Sequence, residues 1–172
     1  MDVITYNGKK YKRYSSKWCD ENNFIVHETL QNELNKEFIK NIDISSFSIL
    51  ELIQEGDKFK GSTSYQLAIK CYEEAAKTCD KKTMSYILPR LSSCYRKAHL
   101  SSKAIELFSF AKRTFGEDII TEALLTSAAA AYCDILEFDK AKKCCDIAYA
   151  RSKGIVSEEL KLVYKRIDKE TR

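Results

Sequence analysis

The residues best suited to catalytic chemistry are two histidines, His27 and His99, and seven cysteines. The sequence contains no HExxH zinc motif, no CxxC pair and no glycine-rich phosphate loop. Cys19 and His27 offer a nucleophile and a base, but no third residue is placed to orient them. We therefore expect a protein that is not an enzyme, and a small enzyme stays the least favoured alternative.

The cysteines fall mostly on predicted helices. Cys144 and Cys145 are adjacent, so on a helix their side chains point about 100° apart, which does not suit joint binding of one metal ion. An odd number of cysteines fits a reducing compartment better than a disulfide scaffold. The expectation is therefore structural thiols, no metal, no cofactor and a cytoplasmic location.

A second chemical candidate is a run of basic and aromatic residues near the N-terminus. The residues that could contact nucleic acid are Lys9, Lys10, Lys12, Arg13 and Trp18. Cations of this kind bind phosphates while aromatic rings stack on bases. The competing interpretation is a hairpin whose aromatic residues pack on a helix while its lysines protect an exposed sheet edge. Four acidic residues against five basic ones leave residues 1–28 at only +1, which favours the structural interpretation.

Residues 1–28 are predicted to form a small β-hairpin or meander. Asn7 and Gly8 lie between alternating residues, which is the strongest short hairpin signal. A third strand is expected over residues 17–19 and another extended piece over residues 24–26. A sheet of this size is not stable alone. Its aromatic residues, Phe24 included, must therefore pack on the next helix or on a second copy of the protein.

Residues 29–48 are predicted to form a bridging helix and a turn. The helix should run from Thr29 to about Asn41, because its apolar residues fall on one helical face. Ser48 and Glu51 have the spacing of a capping box, which places the start of the next helix near Ile49.

A pattern of small and bulky residues repeats three times in the rest of the chain. In each copy the steps between successive members are three, nine, four and three residues. The copies are Gly56, Phe59, Ala68, Tyr72, Ala75; Ser92, Tyr95, Ala104, Phe108, Ala111; and Ala129, Tyr132, Ala141, Cys145, Ala148. Small residues at fixed positions let two helices approach closely, and the bulky residues fill the space beside them.

This pattern resembles the tetratricopeptide repeat, a unit of two helices called A and B. The resemblance covers three repeats over about residues 49–153, within a predicted domain of residues 49–154. It implies a mainly α fold in which antiparallel helix pairs wind into a right-handed superhelix. Residues 155–172 are predicted to form a C-terminal capping helix that begins at Ser157. Pro89 should lie inside the second A helix, which is expected to begin near Thr83, and the third A helix should begin near Asp118.

The resemblance also implies a concave groove on the A helices that binds a peptide or helix of another protein. The groove residues are Asp57, Lys60, Tyr86, Arg90, Ser93, Arg96, Lys97, Ser127 and Asp134. Tyr86, Arg90 and Arg96 are predicted to anchor an acidic or carboxylate-bearing segment. Ile53, Asp57, Ser93 and Ala130 stand where chaperone-binding members hold much of a carboxylate clamp, so a co-chaperone role is not expected. The expected function is that of a non-catalytic adaptor or scaffold.

Overall composition narrows the range of partners. The net charge of +4, from 29 basic and 25 acidic residues, is too small to require nucleic acid binding. No stretch approaches the roughly 18 apolar residues of a membrane span, so no membrane association is expected. A homodimer through the β-module or the terminal helix is an alternative mode of association. The frequent Lys, Ile and Asn residues suggest a bacterial source.

Overall fold

A computed structural model describes residues 2–41 and 43–171 of the chain. The predicted segments 1–28, 29–48 and 155–172 each include one residue, 1, 42 or 172, that lies outside this part. The described chain is mainly helical with a three-stranded antiparallel sheet at the N-terminus, which confirms the predicted fold class at this level. It forms two compact units, which we describe separately: an N-terminal unit that ends at Cys79 and a C-terminal unit that begins at Asp80.

The sheet of the N-terminal unit has the strand order β1-β2-β3. Its strands are β1 (Asp2–Tyr6), β2 (Lys9–Tyr14) and β3 (Lys17–Cys19). Asn7 and Gly8 have φ values of 50° and 76°, as a tight two-residue hairpin turn between twisted strands requires. The predicted hairpin and third strand are confirmed. The extended piece over residues 24–26 is reduced to a single bridge between Cys19 and Ile25.

One face of the sheet packs on α1 (Glu28–Lys40). The indole Nε1 of the fully buried Trp18 donates to Asn35 Oδ1 at 2.7 Å, and its ring meets Phe38 edge-on. The Gln31 amide accepts from the Trp18 backbone N–H at 2.8 Å and donates to its carbonyl oxygen at 2.7 Å. Packing on the following helix is thus confirmed for Trp18, whereas Phe24, predicted to be covered, is 72% exposed.

The N-terminal unit also contains the helices α2 (Ile49–Gly61) and α3 (Tyr65–Ala76), which pack against each other. The capping box of Ser48 and Glu51 is present, as predicted. Gly56 on α2 faces the buried Tyr72 on α3 so closely that an added Cβ would lie 2.6 Å from the ring carbon Cε1. The first copy of the repeated pattern therefore marks a close approach of two helices.

The described part of the C-terminal unit contains five α-helices. They are α4 (Lys81–Lys97), α5 (Ser101–Phe115), α6 (Glu122–Asp134), α7 (Phe138–Arg151) and α8 (Glu158–Glu170). Helix α4 packs on α5 and α6, and α8 packs on α6 and α7. The pattern's alanines on α5 and α7, together with Ala129 on α6, are fully buried. These small residues therefore lie where the helices meet.

The helix ends follow local capping signals. Helix α4 begins at Lys81 rather than near Thr83, because the Asp80 side chain caps it, and it contains Pro89 as predicted. Helix α6 begins at Glu122 and not near Asp118, because Thr121 caps it. The residues just before Thr121 form a short 3-10 turn, Glu117–Ile119.

Ser157 caps α8 as predicted. Among the described residues, none of the helices combines the length and apolar character needed to cross a bilayer.

Candidate partner-binding surface

The C-terminal unit has an open cleft where the last turns of α4 and α6 meet α8 and the start of α5. Its two hollows have volumes of about 660 and 410 Å3. Both are lined by Arg96, Lys97 and Arg166, and we call them together the basic cleft. His99, Ser101, Ser102, Asp134 and Ile135 complete the larger hollow, and Ser93, Ala130, Glu159, Leu162 and Val163 complete the smaller one.

Asp134, the last residue of α6, organises the cations of the basic cleft. Its carboxylate accepts from Arg166 Nη1 at 2.5 Å, Ser101 Oγ at 2.8 Å and Arg96 Nε at 3.3 Å. Arg166 also donates from Nη2 to the Cys133 carbonyl oxygen at 3.0 Å. Two arginines from different helices are therefore held beside one carboxylate.

The pKa of Asp134 shows that its partners outweigh its burial. Burial alone would raise this pKa, because it disfavours the charged carboxylate. The hydrogen bonds from Arg166 and Ser101 and the charges of Arg96 and Arg166 act in the opposite direction, and the net result is a pKa below the ordinary value. Asp134 is therefore ionised at neutral pH.

The cations of the basic cleft exceed its carboxylates. Arg96 also pairs with Glu159 at 3.4 Å, and its side chain is only 16% exposed. The Arg166 side chain is 43% exposed. Lys97 is exposed and forms no ion pair with any described residue. The net positive charge accessible to a ligand thus comes mainly from Lys97 and Arg166.

Nearer the N-terminus of α4, the predicted neighbours Tyr86 and Arg90 lie together. The Arg90 guanidinium carbon is 3.4 Å from the centroid of the Tyr86 ring, and Nη1 donates to the Tyr86 carbonyl oxygen at 3.1 Å. Tyr86 remains 51% exposed. Stacking of this kind holds the charge and the ring in one orientation on the surface.

Of the predicted groove residues, Ser93, Arg96, Lys97 and Asp134 are brought together in the basic cleft. Ser127 is a wrong prediction: it is 3% exposed, and its Oγ lies 2.8 Å from Ser92 Oγ in the contact between α4 and α6. A partner has no access to it.

Two other predicted groove residues, Asp57 and Lys60, belong to the N-terminal unit. Asp57 there accepts from the Tyr72 hydroxyl at 2.6 Å, and Lys60 is half-buried.

Sequence reasoning missed the contribution of α8. Glu159, Leu162 and Arg166 are spaced by three and four residues, which places them on one face of the helix beside the cleft. Their spacing was a usable signal for one helix face, but the sequence does not show which helix that face lies beside. Leu162 is 62% exposed and supplies an apolar side chain next to the cations.

Two residues of the basic segment, Arg13 and Trp18, lie in the core of the N-terminal unit. Arg13 is 2% exposed; Nη2 donates to Asp2 Oδ2 at 2.7 Å and to Glu55 Oε2 at 2.5 Å. Its guanidinium carbon lies 4.2 Å from the Phe38 ring centroid and 5.4 Å from that of Trp18. Arg13 and Trp18 are therefore wrong predictions as nucleic acid contacts, because both are buried.

The other basic residues of that segment remain accessible. Lys9 and Lys10 are exposed, and Lys12 is half-buried.

Three buried cysteines and His27, among the residues considered for catalysis, take structural positions. Burial raises the pKa of Cys71 and Cys145 to about 12 and that of Cys144 to about 11, so little thiolate forms at neutral pH. His27 Nδ1 accepts from the Thr29 N–H at 3.3 Å and caps α1. Within residues 2–41 and 43–171, no group of three or more potential ligands is arranged to hold a metal ion.

Comparison with known proteins gives no match: no protein-family profile, curated protein or solved structure resembles the chain significantly.

Proposed function

We propose that this protein is a non-catalytic interaction protein that binds an acidic segment of another protein in the basic cleft. The observation that carries the proposal is the position of Lys97 and Arg166 at an open cleft between helices, with the exposed Leu162 beside them. A cleft with excess positive charge and an apolar neighbour is complementary to a chain of mixed acidic and apolar residues.

We further propose that the helix pairs are repeats of the tetratricopeptide type. The close approach of Gly56 to Tyr72 and the buried alanines of α5 and α7 support this assignment. The contacts of α6 with both α4 and α8 also fit, since neighbouring A helices lie side by side in such stacks. By this assignment α8 takes the place of a further A helix. The right-handed superhelix expected of these repeats stays a prediction.

Binding would use groups that are already oriented. Asp134, Ser101 and the Cys133 carbonyl hold Arg166 in place, so less side-chain freedom is lost when a ligand carboxylate arrives. Lys97 acts mainly on association rate and partner choice, because it is exposed and therefore screened by salt. Leu162 contributes the apolar contact that gives such a complex its lifetime.

The test is selection of peptides from a random display library on the intact protein, followed by calorimetry with the selected sequences. Enrichment of Asp and Glu is expected. Lys97→Glu with Arg166→Glu should weaken binding about tenfold or more, which corresponds to about 1.4 kcal/mol. The matched control is Lys142→Glu with Lys143→Glu on α7, two exposed lysines whose replacement changes the net charge equally.

Three results would contradict the proposal. The first is a set of selected peptides without acidic enrichment. The second is a cleft variant that binds the peptides as tightly as the unaltered protein does. The third is an α7 control that loses as much affinity as the cleft variant. Circular dichroism of each variant establishes that the helices are intact before binding is compared.

A further inference from the structure

A second surface lies on the sheet face opposite the buried Arg13 and Trp18, and at its edge Lys17 lines a hollow with Glu28 and Gln31 of α1. Strand pairing places Val3 beside Lys12, Thr5 beside Lys10 and Tyr14 beside Lys17. The residues between them in the strands, such as Arg13 and Trp18, point to the opposite, buried face, because side chains alternate along a strand. The surface that we call the outer sheet face consists of Val3, Thr5, Lys10, Lys12, Tyr14 and Lys17.

The outer sheet face carries three cations and no acid. Lys10, Lys12 and Lys17 form no ion pair with any described residue. Two neighbouring acidic residues are engaged elsewhere: Asp2 pairs with Arg13 on the other face, and Glu28 accepts from Thr63 Oγ1 at 2.9 Å.

A third neighbouring carboxylate, that of Asp20, accepts from the Asn22 and Phe24 N–H groups, each at 2.9 Å. None of these three carboxylates forms an ion pair with Lys10, Lys12 or Lys17 within the described part of the chain.

One exposed aromatic side chain lies at one end of this surface. Tyr14 is 45% exposed, and its hydroxyl donates to Asn23 Oδ1 at 3.3 Å. A solvent-facing aromatic ring beside a row of lysines provides both a stacking surface and phosphate contacts.

We propose that the outer sheet face binds single-stranded nucleic acid. Lys10, Lys12 and Lys17 contact phosphates, and the ring of Tyr14 stacks on a base. A single strand is the occupant that fits, because its bases can unstack and turn a face to the ring, whereas duplex bases are already stacked. This surface is separate in its residues from the basic cleft, and neither proposal depends on the other.

The test is fluorescence anisotropy of dye-labelled 20-nucleotide single strands, DNA and RNA, titrated with the intact protein at 50 to 200 mM NaCl. Three phosphate contacts predict that log K falls with log[salt] with a slope of about −2. The variant with Lys10, Lys12 and Lys17 changed to glutamate should lose about tenfold or more in affinity. The control with Lys142, Lys143 and Lys165 changed to glutamate has the same net charge and should keep its affinity.

A second variant separates stacking from charge. Tyr14→Leu keeps every lysine, so affinity should fall about tenfold while the salt slope stays unchanged.

Four results would overturn the proposal: no binding at 50 mM salt, an equal loss in the control, equal or tighter binding of a duplex, or equally effective competition by polyglutamate at the same charge concentration. The last result would identify the surface as a general site for acidic polymers.

Discussion

Arg13 in the N-terminal unit and Arg166 in the C-terminal unit make similar ion pairs in very different surroundings. Each donates to a carboxylate at 2.5 Å, Arg13 to Glu55 and Arg166 to Asp134. The Arg13 side chain is 1% exposed and lies against aromatic rings, whereas the Arg166 side chain is 43% exposed at a cleft. The comparison teaches that burial, not charge or pairing, separates an arginine enclosed in the fold from one that stays accessible at a cleft.

The two sites also differ in the free energy that depends on them. Removing one member of a buried ion pair leaves a desolvated charge without compensation, which costs about 3–5 kcal/mol. An exposed pair contributes about 0–1 kcal/mol, because water and salt screen it. Stability measurements can therefore separate the two arginines.

The largest effect is expected for Arg13→Ala. It removes the bonds to Asp2 and Glu55 and takes the cation away from the aromatic rings. Glu55, 8% exposed, keeps only Lys58 as an ion-pair partner, so the unfolding free energy should fall by about 3 kcal/mol, the lower end of the range for a broken buried pair. Trp18 is the single tryptophan, and it lies against this site, so its fluorescence during urea unfolding reports on the N-terminal unit.

Arg166→Ala is the matched control for that experiment, and it should change stability by no more than about 1 kcal/mol. Equal destabilisation by the two substitutions would refute the distinction between a buried structural arginine and a cleft arginine.

A middle-sized effect is expected for Gly56→Ala, which tests the helix packing of the N-terminal unit. The new methyl group would meet the Tyr72 ring, and overpacking of this kind costs about 1–3 kcal/mol. In a Tyr72→Leu background the same substitution should cost less, since the ring is gone. An unchanged urea midpoint for Gly56→Ala alone would show that this close contact does not limit the packing.

The equivalent position in the C-terminal unit, Ser92, already carries a side chain and bonds to Ser127. Ser92→Ala should therefore act in a different way, by leaving the buried Ser127 hydroxyl without this partner, at a cost of about 1–3 kcal/mol.

The smallest effect is expected in the stability of the C-terminal unit at acid pH. Because the pKa of Asp134 is lowered in the folded state, its ionised form stabilises the fold fully above the ordinary value of 3.8. That contribution is lost as the pH falls through the lower folded pKa. In Asp134→Asn the thermal midpoint should therefore decline less steeply below about pH 4. Circular dichroism during heating measures this midpoint at each pH.

Asp139→Asn on α7 is the charge-matched control for that titration. An acid decline identical in Asp134→Asn and the unaltered protein would mean that the arginine contacts of Asp134 do not stabilise the fold.

The features predicted correctly from the sequence rest on local interactions. The Asn7–Gly8 turn and the caps at Ser48 and Ser157 are set by residues within a few positions of each other. The recurring small residues were visible because close helix contacts require them at fixed spacing. These signals also placed most helices and strands.

The candidate site was harder to predict because accessibility is a tertiary property. Arg13 stands among lysines in the sequence, yet strand alternation and the rings of α1 and α2 bury it. Ser127 was misplaced because only its contact with Ser92 reveals that α4 covers it. Arg166 joins the basic cleft because α8 packs beside α6. The sequence of α8 alone does not show that α6 is its neighbour.

The most direct measurement is an NMR titration of the arginine Nε–Hε resonances with a hexaglutamate peptide, using hexaglutamine as the uncharged control. Resonances of Arg96 and Arg166 should shift in a saturable, salt-sensitive way with hexaglutamate, and the Arg13 resonance should stay fixed, because its guanidinium is buried. Unchanged Arg96 and Arg166 resonances, or equal shifts with hexaglutamine, would contradict binding of acidic segments in the basic cleft.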